Sequence, residues 1–327
     1  MITNASLFDA ITVTLNPAID RTATIPSLTP GAVNRAEAFH DTPGGKGINV
    51  ASALADAGHR VAASGFLGNA NDSLFETLFT KKTITDRLIR TAGETRVGIK
   101  IVDPVRQETT DLNFPGLAPG SEEVAAFHQQ LAGLQAPWFA LGGSLPPGLA
   151  PSFYRELIVT LKERGIKIAL DTSGEPLRLA LEAVPTIIKP NLHELEAVLG
   201  KRLASEEAVI RAARDLVALG IELVVVSMGK AGACFVDREH AIVARPPEIP
   251  IRSTVGAGDA MVAGILSAKI RGLPLEDCAR WATAFSLKHL SRHEDKTEPP
   301  DSRVQWNAHL LNALVPKVQI DMNFNPS

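Results

Sequence analysis

The sequence predicts an α/β fold, a mostly parallel sheet flanked by helices, with a small second β-sheet set apart from it. Three observations lead there. From Val61 onward, short apolar and β-branched runs alternate with helical segments, the pattern of a parallel sheet wrapped by helices. Glycine-rich and polar stretches directly follow those runs, where open α/β sheets place their ligand sites. Two β-rich patches, at about 20–40 and 94–115, break the alternation and suggest a lid over that edge.

Composition narrows the function classes. A chain of 327 residues, 45% hydrophobic and 21% charged, can bury a large core, and it shows neither an internal repeat nor a low-complexity linker. Its 33 Lys and Arg against 36 Asp and Glu leave a net charge of -3, with no long basic run, which argues against a nucleic-acid partner. Two cysteines, Cys234 and Cys278, make no disulfide framework or metal spacing and read as buried thiols in a reducing compartment. No leader pattern opens the chain and no apolar run is long enough for a bilayer, so a cytoplasmic protein without a membrane partner is expected.

The elements follow in order. Ile11-Thr12-Val13-Thr14-Leu15 is β-branched and stops at Asn16-Pro17, so a strand feeds a loop carrying Asp20. Residues 22–25 and 33–39 alternate around Pro26, Pro30 and Gly31 and read as two short strands. The glycine loop Pro43-Gly44-Gly45-Lys46-Gly47-Ile48-Asn49 then opens a helix over 50–57, stopped by Gly58. A strand over 61–67, a helix over 73–80 and a hairpin of 96–102 with 108–114 come next. Strands are expected at 138–141, 167–170, 186–188, 222–226 and 233–236. Helices are expected at 152–164, from Asn191 to Leu199, and at 206–219, 256–271, 275–290 and 302–314.

The stretch with the clearest chemistry is Ser253-Thr254-Val255-Gly256-Ala257-Gly258-Asp259. Glycines at a helix start expose free N–H groups and the positive end of the helix dipole, an anion site. Asp259 at its mouth is placed to act as a base, although a lone Gly-x-Gly-Asp is more often only a first-turn acid. Gly44, Gly45, Lys46 and Asn49 would suit a phosphorylated polyol, but no Ser or Thr follows the lysine, so this is not the NTPase P-loop. Asp20 could grip sugar hydroxyls, although alone such a residue is more often a turn residue, and Arg96 could clamp a phosphate, although a strand-edge arginine is usually solvated. Asn191 and Glu194 could face Mg²⁺ and phosphate, with helix capping as the alternative. Ser227, Gly229 and Gly232 could lie against a nucleotide or form an ordinary turn. No histidine spacing suits a metal, Ser144 lacks a hydrolase elbow, and no G-x-G-x-x-G follows the first strand, which removes a dinucleotide oxidoreductase.

Taken in order, Asn16-Pro17-Ala18-Ile19-Asp20, Gly44-Gly45-Lys46-Gly47-Ile48-Asn49, Gly143-Ser144-Leu145-Pro146-Pro147-Gly148, Lys189-Pro190-Asn191-Leu192-His193-Glu194 and Ser253 to Asp259 resemble the motifs of the ribokinase-like PfkB carbohydrate kinases. Within that family they resemble the phosphofructokinase and tagatose-6-phosphate kinase branch. The resemblance implies one kinase domain over 10–316, a Rossmann-like sheet and a β lid, with ATP as co-substrate and Mg²⁺ as cofactor. It makes Asp259 the base and Gly256, Ala257 and Gly258 the anion hole. It assigns the sugar to Asp20, Gly44, Gly45, Asn49 and Ser144, and the sugar's own phosphate to Lys46 and Arg96. Phosphates and nucleotide fall to Lys189, Asn191, Ser227, Gly229, Gly232 and Thr254 together with Gly256 and Gly258, and indirect Mg²⁺ contacts to Asn191 and Glu194.

Lys46 within the glycine loop resembles the pattern of the fructose-1-phosphate and tagatose-6-phosphate kinases, and that resemblance favours fructose 1-phosphate, phosphorylated on O6, with tagatose 6-phosphate and fructose 6-phosphate as alternatives. A silent sugar-phosphate sensor is a further alternative, and a homodimer through the lid is expected. After Leu290 the chain reads Ser291-Arg292-His293-Glu294-Asp295-Lys296-Thr297, charged where such kinases carry a small glycine-containing loop. That departure falls on the adenine contacts and on K⁺.

Overall fold

Runs that are apolar on both faces form the middle of a sheet, because helices cover it from either side. The computed structural model describes residues 7–248, 256–291 and 313–322. In chain order the strands are β1 (Ala10–Thr14), β2 (Ala18–Thr24), β3 (Ala38–Gly44), β4 (Val61–Gly68), β5 (Thr85–Thr91), β6 (Val97–Asp103), β7 (Glu108–Leu112), β8 (Trp138–Gly142), β9 (Lys167–Asp171), β10 (Ile187–Ile188), β11 (Leu223–Ser227), β12 (Ala233–Val236), β13 (Ala241–Arg245) and β14 (Gln319–Asp321). The helices are α1 (Lys46–Asp56), α2 (Ser73–Lys82), α3 (Ser121–Gly133), α4 (Phe153–Glu163), α5 (Gly174–Leu181), α6 (Leu192–Leu199), α7 (Glu206–Ala218), α8 (Ala257–Ile270) and α9 (Leu275–Leu290).

The large sheet runs β14-β13-β12-β11-β10-β9-β8-β1-β4-β5. It is parallel from β11 to β5, and β12, β13 and β14 extend it antiparallel. Ala10 of β1 stands opposite both Val61 of β4 and Trp138 of β8. From β1 the chain winds outward to β5, then returns to the other side at β8, so the order reverses beside β1. Such a switch point, outside the carboxyl ends of the strands, is where open α/β sheets bind ligands.

One apolar layer, with Leu54 of α1, Phe75 of α2, Leu266 of α8 and Phe285 of α9, packs on one face of the sheet. The other layer, with Phe127, Tyr154, Leu157 and Leu216, is covered by α3, α4 and α7. Helix α8 is apolar almost all round and is sandwiched between α9 and α1, as expected of a fully buried helix. Both cysteines are buried and free. Among the described residues, no helix is long and apolar enough to cross a membrane.

The second sheet, β3-β2-β6-β7, stands apart from the first. Its members leave the large sheet after β1 and β5 and rejoin it at α1 and α3, which places it at the carboxyl edge. Two boundaries differ from expectation. The strand read over 33–39 instead occupies Ala38–Gly44 and runs into the glycine loop. Pro43 concealed it, yet β3 is an edge strand, where a missing donor is tolerated. Helix α1 starts at Lys46, a turn earlier than the residue-50 start, because packing against β1 overrides the poor helix propensity of Gly47. Strand β5, polar and at the sheet edge, and α3, which buries only Phe127 and Leu131, lack the patterning that singles elements out. The helix expected at 302–314 lies outside the described residues, apart from its last two positions.

Candidate active site

Two helix starts meet at the switch point. Gly45, the N-cap of α1, has φ 116°, and a Cβ there would lie 2.8 Å from Thr14 Cγ2. Gly256, the N-cap of α8, has φ 79°, and its missing Cβ leaves room for the His289 ring, 2.7 Å away at Nε2. Only glycine takes such positive φ values without strain. The first-turn N–H groups of both helices have no intrahelical partner, so two anion-favouring ends converge. Asn49 of α1 donates from Nδ2 to Asp259 Oδ2 of α8 at 2.7 Å and ties the two together.

Asp259 is 7% exposed. Burial, then the charge of Asp171, pushes its pKa up to about 6, against the Asn49 hydrogen bond and the pull of Lys46 and Lys189. A carboxylate with that affinity for protons is ionised at neutral pH and is a stronger base than an exposed one. Lys46 Nζ donates to Asp171 Oδ1 at 2.8 Å, and Lys189 Nζ is 3.5 Å from Asp171 Oδ2. Burial works against the Lys46 ammonium, but Asp171, Glu194 and Asp259 outweigh it and hold its pKa above the usual lysine value. Burial likewise favours the neutral acid at Asp171, yet Lys189 and Lys46 hold its pKa below the carboxylate range. The Lys189 ammonium also lies 3.3 Å from where a Cβ on Gly258 would stand. A phosphoryl group at the start of α8 would therefore meet backbone N–H groups and two ammoniums.

A second group of residues lines the small sheet. Asp20 packs against the glycine loop, its Oδ2 2.4 Å from the Cβ that Gly44 lacks. Its Oδ1 is 3.0 Å from Lys100 Nζ, a cation that sequence reading passed over. Lysine in an alternating hairpin reads as a solvated strand residue, and only the pairing of β2 with β6 brings it to Asp20. Arg96 reaches the same region but donates to three carbonyls, Pro17 O at 3.3 Å, Phe114 O at 3.1 Å and Asn16 O at 3.2 Å. It fastens the loop after β1 to the chain beyond β7. Asn16 Nδ2 donates to Ser144 Oγ at 3.1 Å, beside a cavity of about 500 Å³ lined by Gly116, Pro146, Pro147 and Thr172.

The remaining expected residues lie farther along the strand ends. Asn191 and Glu194 form a reciprocal capping box at α6, Glu194 N donating to Asn191 Oδ1 and Asn191 N to Glu194 Oε2, each at 2.8 Å. Capping, the alternative reading for Asn191, is therefore realised. Ser227 bridges to Asn191, Gly229 opens a tight turn at φ 60°, and Gly232 is required because a Cβ would lie 2.0 Å from Ala244 O. Thr254, and the stretch from 292 where the resemblance puts adenine and K⁺ contacts, lie outside the described residues. Among the described residues, no three His, Cys, Asp or Glu side chains converge as a metal cage.

Lys46, expected to hold the sugar's own phosphate, stands apart from the cations of the small sheet. Its ammonium is on Asp171, at the Asp259 end of the site, not on the small sheet. Asp171 itself carried no sequence signal beyond ending an apolar strand.

Residues 9–301 match the family model described as pfkB family carbohydrate kinase. A 1-phosphofructokinase of Rhodobacter capsulatus is 49% identical over 293 residues, covering 89% of this chain and 93% of that protein. A 1-phosphofructokinase of Xanthomonas campestris is 47% identical over 314 residues, covering 94% of this chain and 99% of that protein. Among solved structures, phosphofructokinase-2 from Escherichia coli in complex with fructose-6-phosphate superposes with a TM-score of 0.83 at 29% identity, covering 93% of this chain and 99% of that one.

Proposed function

The chain belongs to the pfkB family of carbohydrate kinases, and from that premise we propose that it transfers the γ-phosphoryl group of ATP to O6 of fructose 1-phosphate, giving fructose 1,6-bisphosphate. It is a sugar-phosphate kinase, and the activity named for the two bacterial relatives supports this acceptor. The observation that carries the chemistry is the buried Asp259 at a glycine-opened helix start, hydrogen-bonded to Asn49 and facing two lysines.

In this reading Asp259 takes the proton of the acceptor hydroxyl as the oxygen bonds to the γ-phosphorus. The bond to the bridging oxygen breaks, and ADP leaves with the electron pair. The N–H groups of Gly256, Ala257 and Gly258, with Lys46 and Lys189, meet the charge on the transferred group. Asp20, Gly44, Gly45, Asn49 and Ser144 hold the sugar. Its existing phosphate falls to Lys100 with Arg96, the cations of the small sheet, while Ser227, Gly229, Gly232 and Thr254 follow the strand ends toward the nucleotide. Glu194, whose charge reaches Lys46, suits Mg²⁺ brought in by ATP and held chiefly by phosphate and water oxygens. When bound, Mg²⁺ would neutralise charge on the phosphates.

The kinase domain spans 10–316 and the four-stranded sheet is its lid and dimer face. Alternation puts Asp20 and Lys100 on one face of that sheet and Phe39, Ile99 and Leu112 on the other. Phe39 is 67% exposed and Leu112 44%, and with the Arg21–Asp41 ion pair between them they make a partly apolar face suited to a second copy.

The test is ADP release with Mg-ATP and fructose 1-phosphate, tagatose 6-phosphate, fructose 6-phosphate or fructose, compared by kcat/KM. Preference for fructose 1-phosphate supports the reading; preference for another ketose phosphate moves the acceptor and keeps the chemistry. Binding without turnover on all four would mark a sensor.

A further inference from the structure

A carboxylate as buried as Asp171, 4% exposed at the end of β9, is costly unless it is paired. It lies between two ammoniums from different elements, Lys46 at the first position of α1 and Lys189 just beyond β10. Without an anion between them the two ammoniums would repel and turn apart. One lysine would neutralise the acid; the second leaves the trio with net positive charge. That charge is directed at the start of α8, where Lys189 Nζ lies against Gly258 and the field of Lys46 reaches Asp259.

We propose that Asp171 is a positioning residue for phosphoryl transfer. Its carboxylate holds Lys46 and Lys189 together as one clamp facing the glycine turn, and its negative charge strengthens Asp259 as the base. The inference rests on the kinase reading above, with Asp259 as base, and leaves the acceptor open. Asp259 is faced by Lys46 and Asn49 from α1, Asp171 from β9 and Lys189 from the loop after β10; α9 contributes the His289 ring, which borders Gly256. Of these only Asp171 raises the proton affinity of Asp259 by its charge, so its loss has a sign that a purely structural contact would not produce.

The experiment compares the parent with Asp171→Asn, using whichever ketose phosphate the parent turns over fastest, so that a different acceptor changes the substrate and not the outcome. The variant is expected to lose kcat on the order of 100-fold, with the acceptor KM little changed. The acid limb of its kcat/KM profile, at about pH 6 in the parent, is expected to move to lower pH. An acid limb coincident with the parent's, or an unchanged kcat, overturns the proposal. Should Asp171→Asn fail to fold by circular dichroism, Asp171→Glu carries the test. It keeps the charge on an arm one methylene longer, so the acid limb stays near pH 6 while kcat falls through displaced lysines; undiminished kcat in that variant overturns the proposal as well.

Discussion

At the scale of single residues, Asp259, the proposed base, carries a structural cost. Its carboxyl has a higher pKa in the fold than in the unfolded chain, about 6 against an ordinary 3.8, so ionisation is disfavoured by folding. The sign follows by linkage: the cost is absent below pH 3.8, appears as the pH rises through that interval, and stays in full above about pH 6. Asp259→Asn should therefore melt at the parent's temperature near pH 4 and at a higher temperature at pH 8, while losing roughly 1,000-fold or more in kcat. A melting temperature that falls at pH 8, or near-normal turnover, would remove Asp259 from the role of base. The two lysines of the glycine loop and the hairpin separate by a different readout. Lys46→Met should lower kcat with the acceptor KM nearly unchanged, since Lys46 sits with Asp171; Lys100→Met should raise the acceptor KM and spare the KM for ATP, since Lys100 sits with Asp20. The opposite split would exchange their roles.

At the scale of elements, the site depends on how closely α1 approaches β1. A Cβ on Gly47 would stand 2.3 Å from Thr14 Oγ1 and 2.8 Å from Val13 O, and the backbone of a central strand cannot give way. Gly47→Ala should cost about 1–3 kcal/mol of stability and lower kcat as well, because Lys46 and Asn49 move with the helix start. Gly58→Ala supplies the contrast in a combined denaturation and turnover assay. Nothing lies within 4 Å of that position, only φ 84° is unfavourable, and it should cost roughly 1 kcal/mol while leaving turnover intact. Equal losses of activity in the two variants would show that α1 does not carry the site.

At the scale of the whole molecule, the small sheet has one polar face, carrying Asp20 and Lys100, and one partly apolar face opposite it. Its edge strands β3 and β7 are each paired on one side only. A second copy covering this face would make closure over the sugar and assembly one event. Sedimentation should find a dimer for the parent and a monomer for Phe39→Asp, with weakened acceptor binding in the monomer. A parent that sediments as a monomer, or a variant that stays dimeric, would place assembly elsewhere.

Much of this protein was legible in its sequence. The alternation of apolar runs and helices, the two β insertions and the glycine-opened helix at Asp259 are local patterns, set by side-chain period and backbone freedom, and they specify the architecture and the helix start that carries the proposed base. A proline within β3 is tolerated only because β3 is an edge strand, a property of the assembled sheet that local sequence does not show. Lys100 meets Asp20, and Asp171 meets Lys46 and Lys189, only because β6 pairs with β2 and β9 ends between β8 and β10. Asn191 and Glu194 spend their polar atoms on a cap, whose hydrogen bonds the motif alone does not reveal. That Lys46 stands with Asp171 and Lys100 with Asp20, the basis for the two proposed phosphate roles, was decided by long-range contact and not by local pattern.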